Sequence, residues 1–248
     1  GAGLIVSEGV QPSPVGKGYW RTPGIYSAAQ IDGWRKVTDA VHARGGRIVM
    51  QLMHCGRVVV PANRGFDADV IAPSAVPCPV PVPGPDGTPV ATAMPRAIDA
   101  GEIPALLDEY AQAARNAVAA GFDGVELHCA SGYLINQFLN SASNHREDAF
   151  GGSIENRIRF PVMVLKALAA GKHVFVEKPL CLNRAGFFGT GREPKCWFPA
   201  QALQSALQGS VEFLAVYSPR KVDDRGTLCL THNLRLTGGK GQKGRLIG

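Results

Sequence analysis

Strand patterns alternate with helix patterns along the first two thirds of this 248-residue chain. Three short apolar runs, at residues 3–8, 47–52 and 124–128, have the composition of buried strands. A capping-box pair, Ser27 and Gln30, opens the first helical pattern, and Gly121 closes the second. Such alternation is typical of an α/β fold, and it predicts that the sheet is parallel.

Each helical pattern has one apolar face that we expect to pack on the sheet. The first face consists of Ile31, Trp34, Val37 and Val41, and the second of Ile103, Leu106, Leu107, Tyr110, Ala114, Ala117 and Val118. The segment 61–95 is rich in proline and glycine and has neither a helical nor an alternating period. It is therefore predicted to be an irregular excursion over the mouth of the sheet.

The third strand pattern leads into two side chains that suit carbonyl chemistry. His128 falls where the strand should stop, and Tyr133 follows in the next loop. An imidazole can polarise a carbonyl group, and a phenol, which is protonated at neutral pH, can deliver a proton. Two structural alternatives stay open, because His128 can be a hydrogen-bonded strand-end residue and Tyr133 a packed aromatic.

The residues that follow this strand resemble the old yellow enzyme family of FMN-dependent ene-reductases and NADH:flavin oxidoreductases. The resemblance rests on four short strings: His128-Cys129-Ala130-Ser131-Gly132-Tyr133-Leu134, Gln137-Phe138-Leu139, Ser143-Asn144-His145-Arg146-Glu147-Asp148 and Gly151-Gly152-Ser153-Ile154-Glu155-Asn156-Arg157. It extends upstream to the first residues, through the loop 18–25 and the strand pattern at 47–52. It implies a partial (β/α)8 TIM barrel over residues 1–168, of which units two to four are recognisable.

The resemblance also implies a chemistry and a set of site residues. FMN would be the cofactor, NAD(P)H the reductant and an α,β-unsaturated carbonyl compound the substrate. Tyr133, His128 and Ser131 would be catalytic, while Gln51, His128 and Gly9 would bind the cofactor. Ser131 stands where the family has Asn or His as a second carbonyl-binding residue. Its hydroxyl can still donate a hydrogen bond, but the side chain is shorter and would leave a gap unless a water molecule fills it.

A second, shorter resemblance covers residues 167–180. The string Val176-Glu177-Lys178-Pro179 is similar to the Glu-Lys-Pro segment of NAD(P)-dependent sugar dehydrogenases of the glucose-fructose oxidoreductase and inositol dehydrogenase type. That resemblance implies that Lys178 lies beside a nicotinamide, although no Gly-x-Gly-x-x-Gly phosphate turn precedes it. The structural alternative is a strand-end lysine near solvent. A sugar dehydrogenase fragment, or an inert fragment that binds no cofactor, is thus the alternative function.

The last 65 residues differ in composition from the rest of the chain. Residues 184–248 hold 10 of the 26 Lys and Arg but only 4 of the 20 Asp and Glu, so the net charge of +6 resides there. We expect an irregular, poorly ordered basic tail, with a short helix at 201–208 and a strand at 211–217. The predicted organisation is a barrel part at 1–168, a dehydrogenase-like segment at 169–183 and this tail, joined as in a truncated or chimeric reading frame.

Composition restricts the remaining classes of partner. None of the six cysteines forms a Cys-x-x-Cys pair, so we predict neither zinc nor dithiol chemistry and no metal site. The tail has few aromatic residues interleaved with its basic ones and no recognisable nucleic-acid module, which argues against a nucleic-acid partner. No apolar run has the length of a membrane span. A cytoplasmic location is the expectation that follows from the family resemblance.

Overall fold

The computed structural model describes residues 2–169 and four further strand segments, 174–177, 215–216, 221–222 and 228–229. A five-stranded parallel sheet with the order β1-β2-β7-β8-β9 forms its centre. The strands are β1 (Leu4–Val10), β2 (Arg47–Leu52), β3 (Ile71–Ala72), β4 (Val82–Pro83), β5 (Pro89–Val90), β6 (Arg96–Ala97), β7 (Gly124–His128), β8 (Val174–Glu177), β9 (Ala215–Val216), β10 (Lys221–Val222) and β11 (Leu228–Cys229). The helices are α1 (Ala28–His42), α2 (Ile103–Ala119), α3 (Leu134–Leu139), α4 (Ile154–Arg157) and α5 (Arg159–Ala169). The predicted α/β fold with a parallel sheet is confirmed.

The sheet register brings the carboxyl ends of three strands together. Gly9 of β1 is the register partner of Gln51 of β2, and Gln51 is in turn the partner of Glu126 of β7. An irregularity in the pairing between Val6 and Gly9 shifts the end of β1 relative to β2. Because side chains alternate between the faces of a strand, this register places neighbouring residues of three strands on one face.

Helices cover the opposite face of the sheet. Apolar side chains of β2 and β7 form one core with α2 and α5, which includes Ile48, Met50, Leu52, Val125, Leu127, Leu106, Tyr110, Ala113, Phe160 and Val164. The predicted capping box begins α1: the Ser27 hydroxyl accepts from the Gln30 N–H, and the Gln30 side chain accepts from the Ser27 N–H. The predictions for Val37 and Val118 are wrong, since both side chains are 42% exposed at the margins of their helical faces.

The excursion between β2 and α2 has a small core of its own. Seven buried side chains form it: Met53, Cys55, Val58, Val59, Val60, Val70 and Val82. The buried Arg64 guanidinium donates to the carbonyls of Lys17, Ala68, Asp69 and Val15, which ties the excursion to the loop after β1. The prediction of irregular structure agrees with the fold, apart from one turn of 3-10 helix at Pro61–Asn63 and two two-residue ladders, β3 with β6 and β4 with β5.

The segment that resembles the sugar dehydrogenases contributes a strand to the sheet. β8 pairs in parallel with β7, and Glu177 is the register partner of His128. Ala215–Val216, within the strand predicted at 211–217, pairs in parallel with β8. Lys178 and the helix predicted at 201–208 lie outside the described residues. The predicted segment boundaries at 168 and 183 stay predictions.

Candidate active site

Polar side chains line the sheet face that the helices do not cover. In β7, Val125 and Leu127 point towards the helices, so Glu126 and His128 project from the other face. Gln51 of β2 lies on that same face, between β1 and β7. In a parallel α/β barrel the carboxyl ends of the strands carry the chemistry. The structure therefore places two of the predicted site residues, Gln51 and His128, at adjacent strand ends.

A buried carboxylate holds the side chain of Gln51. The Gln51 Nε2 donates to Glu126 Oε1 at 2.6 Å, and Glu126 is only 3% exposed. The backbone N–H of Gln51 also donates to the Ser7 hydroxyl at 3.0 Å. Glu126 was not predicted as a site residue. The available signal is its spacing, since it lies two positions before His128 and shares its face of the strand.

His128 and Tyr133 lie side by side at the end of β7. Their ring centroids are 5.0 Å apart, and the ring planes meet at 84°. The Ala130 N–H donates to His128 Nδ1 at 3.3 Å, so the neutral imidazole carries its proton on Nε2. Tyr133 immediately precedes α3, whose first N–H, on Leu134, donates to the His54 carbonyl. Burial raises the pKa of the Tyr133 phenol, which keeps it protonated at neutral pH.

Tyr19 completes an aromatic cluster around Tyr133. The two phenolic oxygens are 3.1 Å apart, and the rings meet edge to face with centroids 6.3 Å apart. Burial, and after it the hydrogen bond with Tyr133, raises the pKa of Tyr19. Sequence reasoning assigned no role to Tyr19, because the two tyrosines are 114 positions apart and only the folded chain brings them together.

Ser131 occupies an exposed turn between β7 and α3. Its backbone has φ +59°, in the left-handed region, and Gly132 follows with φ +80°. No hydrogen bond of the Ser131 hydroxyl is present among the described residues. Asn is more readily accommodated than Ser in this backbone conformation. The carbonyl-binding role of Ser131 stays a prediction.

Gly9 and His54 have structural reasons for their identities. A Cβ atom at Gly9 would lie 2.7 Å from the Sδ and Cε atoms of Met53, so glycine makes room for that side chain. His54 is buried, and its Nδ1 accepts from the Gly56 N–H at 3.0 Å. Burial lowers the pKa of His54 to about 3, so the ring is neutral. This packing does not test whether Gly9 contacts a cofactor, so that contact stays a prediction.

The strand-end residues suit one edge of an FMN ring. A flavin edge alternates carbonyl oxygens with an imide N–H, and a glutamine amide can donate to the first and accept from the second. The protonated Nε2 of His128 can donate to a flavin or substrate oxygen. Gln51 and His128 thus form a donor set that fits this group. Within the described residues, no cluster of three His, Cys, Asp or Glu side chains has an arrangement that could hold a metal ion.

Imidazole, phenol and amide groups thus lie together at the strand ends of a parallel α/β sheet. The sequence profile of the NADH:flavin oxidoreductase / NADH oxidase family matches residues 1–177. The chain belongs to this family. The matched region extends through β8, beyond residue 168, where the partial barrel was predicted to end.

Individual relatives agree with the family match. The "Probable flavin mononucleotide-dependent alkene reductase" of Leishmania infantum is 48% identical over 177 residues, which cover 67% of this chain and 47% of the relative. The old yellow enzyme homologue from Zymomonas mobilis is similar in structure, with a TM-score of 0.66 and 41% identity over 71% of this chain and 50% of that one. Morphinone reductase, solved with tetrahydroNAD, has a TM-score of 0.65 and 43% identity over 72% and 52%.

The chain spans less than half the length of the curated relatives it matches and about half of the solved chains. The comparisons lend no support to the sugar dehydrogenase alternative. None of the helices in the described part of the chain is both long enough and apolar enough to cross a lipid bilayer.

Proposed function

We propose that this protein is an FMN-dependent oxidoreductase of old yellow enzyme type, which reduces α,β-unsaturated carbonyl compounds with hydride from NAD(P)H. The observation that carries the proposal is the His128–Tyr133 pair, whose rings lie 5.0 Å apart at the end of β7 beside Gln51. Two relatives support the proposal. One is named as a probable flavin mononucleotide-dependent alkene reductase, and the structure of the other was solved with tetrahydroNAD. A cytoplasmic location is part of the same proposal.

Gln51 would hydrogen-bond the flavin ring at the strand ends, with His128 beside it. When bound, FMN supplies hydride chemistry, by taking hydride from the nicotinamide and passing it to the β-carbon of the substrate. The protein residues have a different task. They orient the unsaturated carbonyl compound, exclude water and handle the proton.

His128 would bind the carbonyl oxygen of the substrate. Its Nε2–H donates to that oxygen and stabilises the negative charge that develops there when the β-carbon is reduced. A preorganised donor of this kind contributes about 3–4 kcal/mol of transition-state stabilisation. We propose Ser131 only as a water-bridged helper, because its hydroxyl lies on an exposed turn.

Tyr133 would protonate the α-carbon. The imidazole and the phenol are neighbours, as are the carbonyl oxygen and the α-carbon of the substrate, so one residue can bind the oxygen while the other protonates the carbon. The raised pKa of Tyr133 maintains the proton until negative charge appears on the substrate.

The test uses the chain with FMN, NADPH or NADH, and 2-cyclohexenone. Tyr133→Phe is expected to slow formation of the saturated ketone about 100-fold or more, because it removes the general acid. Flavin reduction by the nicotinamide should keep its rate, since that step needs no phenol proton. Unchanged ketone formation in Tyr133→Phe would overturn the assignment of Tyr133, and no ketone formation by the unsubstituted chain would overturn the function.

A further inference from the structure

The hydrogen bond between Tyr19 and Tyr133 lies beside the proposed site, and the proposed reaction does not explain it. The two oxygens are 3.1 Å apart, and both phenols are partly buried. Tyr133 therefore lies between His128 on one side and Tyr19 on the other, with edge-to-face ring contacts to both. The hydroxyl of a half-buried tyrosine normally has a hydrogen-bond partner, and for Tyr133 that partner is a second phenol.

We propose that Tyr19 is a positioning residue, which donates its hydrogen bond to the Tyr133 oxygen, directs the Tyr133 proton towards the substrate and stabilises the phenolate left after proton transfer. This inference rests on the proposed function of Tyr133. It concerns Tyr19 and the ionisation of Tyr133, so it is measurable without turnover.

The direction of the hydrogen bond follows from the charge that the reaction creates. If Tyr133 donated to Tyr19, its proton would point away from the substrate. If Tyr19 donates, the Tyr133 oxygen keeps its proton for the substrate, and the same bond becomes charge-assisted once that proton has left. Such bonds are shorter and roughly twice as strong as neutral ones. An ionised phenolate in a buried position is otherwise strongly disfavoured.

The backbone on both sides of Tyr19 is held in place. Asn63 Nδ2 donates to the Gly18 carbonyl at 3.0 Å, and the Thr22 hydroxyl donates to the Tyr19 carbonyl at 3.2 Å. A Cβ atom at Gly18 would lie 2.2 Å from the Val58 carbonyl oxygen, so the loop is packed directly against the excursion. The Tyr19 hydroxyl is thus fixed in position before a substrate binds, as a preorganised donor must be.

Three other titratable groups lie near the two phenols in the described part of the chain. They are His128 on β7, Cys55 after β2 and Cys78 in the excursion. Burial raises the pKa of the Cys55 thiol to about 12, so this thiol is neutral at physiological pH. Among these described groups, only the Tyr19 hydroxyl is within hydrogen-bond distance of the Tyr133 hydroxyl.

The proton balance of the step is simple. The O–H bond of Tyr133 breaks, a C–H bond forms at the substrate α-carbon, and the negative charge moves from the substrate enolate to the Tyr133 oxygen. Tyr19 then passes its proton to Tyr133 along their hydrogen bond and takes one from solvent water, which its partly exposed side chain can reach. One solvent proton is consumed in each cycle, and this proton transfer itself changes no oxidation state.

The first measurement is the ionisation of Tyr133 in the flavin-free chain. Tyrosine is replaced biosynthetically by a ring-fluorinated tyrosine, which lowers phenol pKa values into an accessible range, and each of the five residues is followed by 19F NMR. Tyr133→Phe assigns the signal. Tyr19→Phe should raise the pKa of Tyr133 by about one unit, the equivalent of one lost hydrogen bond to the charged form. Tyr26→Phe, the matched control outside the cluster, should leave it unchanged.

The second measurement is the enone half-reaction of the FMN-loaded chain. Tyr19→Phe should slow it about tenfold at neutral pH, while flavin reduction by nicotinamide keeps its rate. An unchanged or lowered pKa of Tyr133 in Tyr19→Phe overturns the inference, whatever the activity. If Tyr133→Phe is impaired but Tyr19→Phe matches the unsubstituted chain in both measurements, only this inference fails. If Tyr133→Phe is fully active, the proposed function of Tyr133 fails first.

Discussion

The contact between Gln51 and the buried Glu126 joins two side chains at the edge where we propose that a flavin binds. A carboxylate that is 3% exposed is costly unless hydrogen bonds satisfy it, and the Gln51 amide supplies one of them at 2.6 Å. The same bond fixes which way the amide points, because only its nitrogen can donate to the carboxylate. Glu126 thereby sets the orientation of the Gln51 amide, on which the proposed flavin contact depends.

Replacement of Glu126 by glutamine tests this orientation. Glu126→Gln keeps the volume but removes the charge and allows the Gln51 amide to turn over. We expect FMN affinity to fall about three- to tenfold, the effect of one misdirected hydrogen bond. The measurement is a fluorescence titration of FMN. The exposed Glu147, whose substitution by glutamine should leave the affinity unchanged, provides the control; equal affinities for all three proteins would contradict the role of Glu126.

The amino-acid sequence was enough to predict part of this site. The rest depends on contacts between residues that are far apart in the sequence. His128, Tyr133 and Gln51 follow from strand-end positions and family strings, and the structure places them at neighbouring strand ends. Tyr19 is joined to Tyr133 only through tertiary structure. Glu126 could have been found from the sequence, because it lies two positions before His128 and therefore shares its face of the strand. Ser131 was predicted from the string alone, and the string says nothing about its exposed left-handed turn.

At the scale of elements, the junction between α2 and β7 is set by one glycine. Gly121 has φ +87°, and a Cβ atom there would lie 2.7 Å from the hydroxyl oxygen of Thr38. That hydroxyl is buried and donates to the Ala120 carbonyl at 2.6 Å, which joins α1 to the end of α2. The predicted helix end at Gly121 therefore has both a conformational and a steric cause.

Two glycine-to-alanine variants separate these effects from helix propensity. Gly121→Ala should lower the free energy of unfolding by about 1–3 kcal/mol, through left-handed strain and displacement of Thr38. Gly33→Ala, in the interior of α1 with no atom within 4 Å of the new Cβ, should raise it by about 0.5–1 kcal/mol. Denaturant unfolding measures both. Similar stability changes in the two variants would contradict this account of the junction.

Helices and strands could be predicted from the sequence where a single local preference determines where they begin or end. The cap of α1, the strands β2 and β7 and the end of α2 each follow from local chemistry, and all are found. The short ladders β3–β6 and β4–β5 have only two residues per strand, too few for a sequence period to form. Val37 and Val118 are exposed because the neighbouring elements end before they cover these side chains. The helical period of the sequence does not show where the neighbours end.

At the scale of the whole molecule, the family assignment and the described sheet agree. The family match covers residues 1–177, and the five-stranded parallel sheet brings together the strand ends on which the proposed site lies. The chain corresponds to about half of the solved relatives. Whether these strand ends suffice to hold a flavin is therefore the central question about its function.

The most direct measurement is flavin retention by the purified full chain. The chain is incubated with excess FMN, desalted, and examined for visible flavin absorption, and the bound flavin is quantified after denaturation. We expect close to one FMN per chain, and reduced retention in Glu126→Gln. A colourless protein, under conditions in which its circular dichroism shows a folded α/β chain, would contradict the proposal that this chain acts as a flavin enzyme.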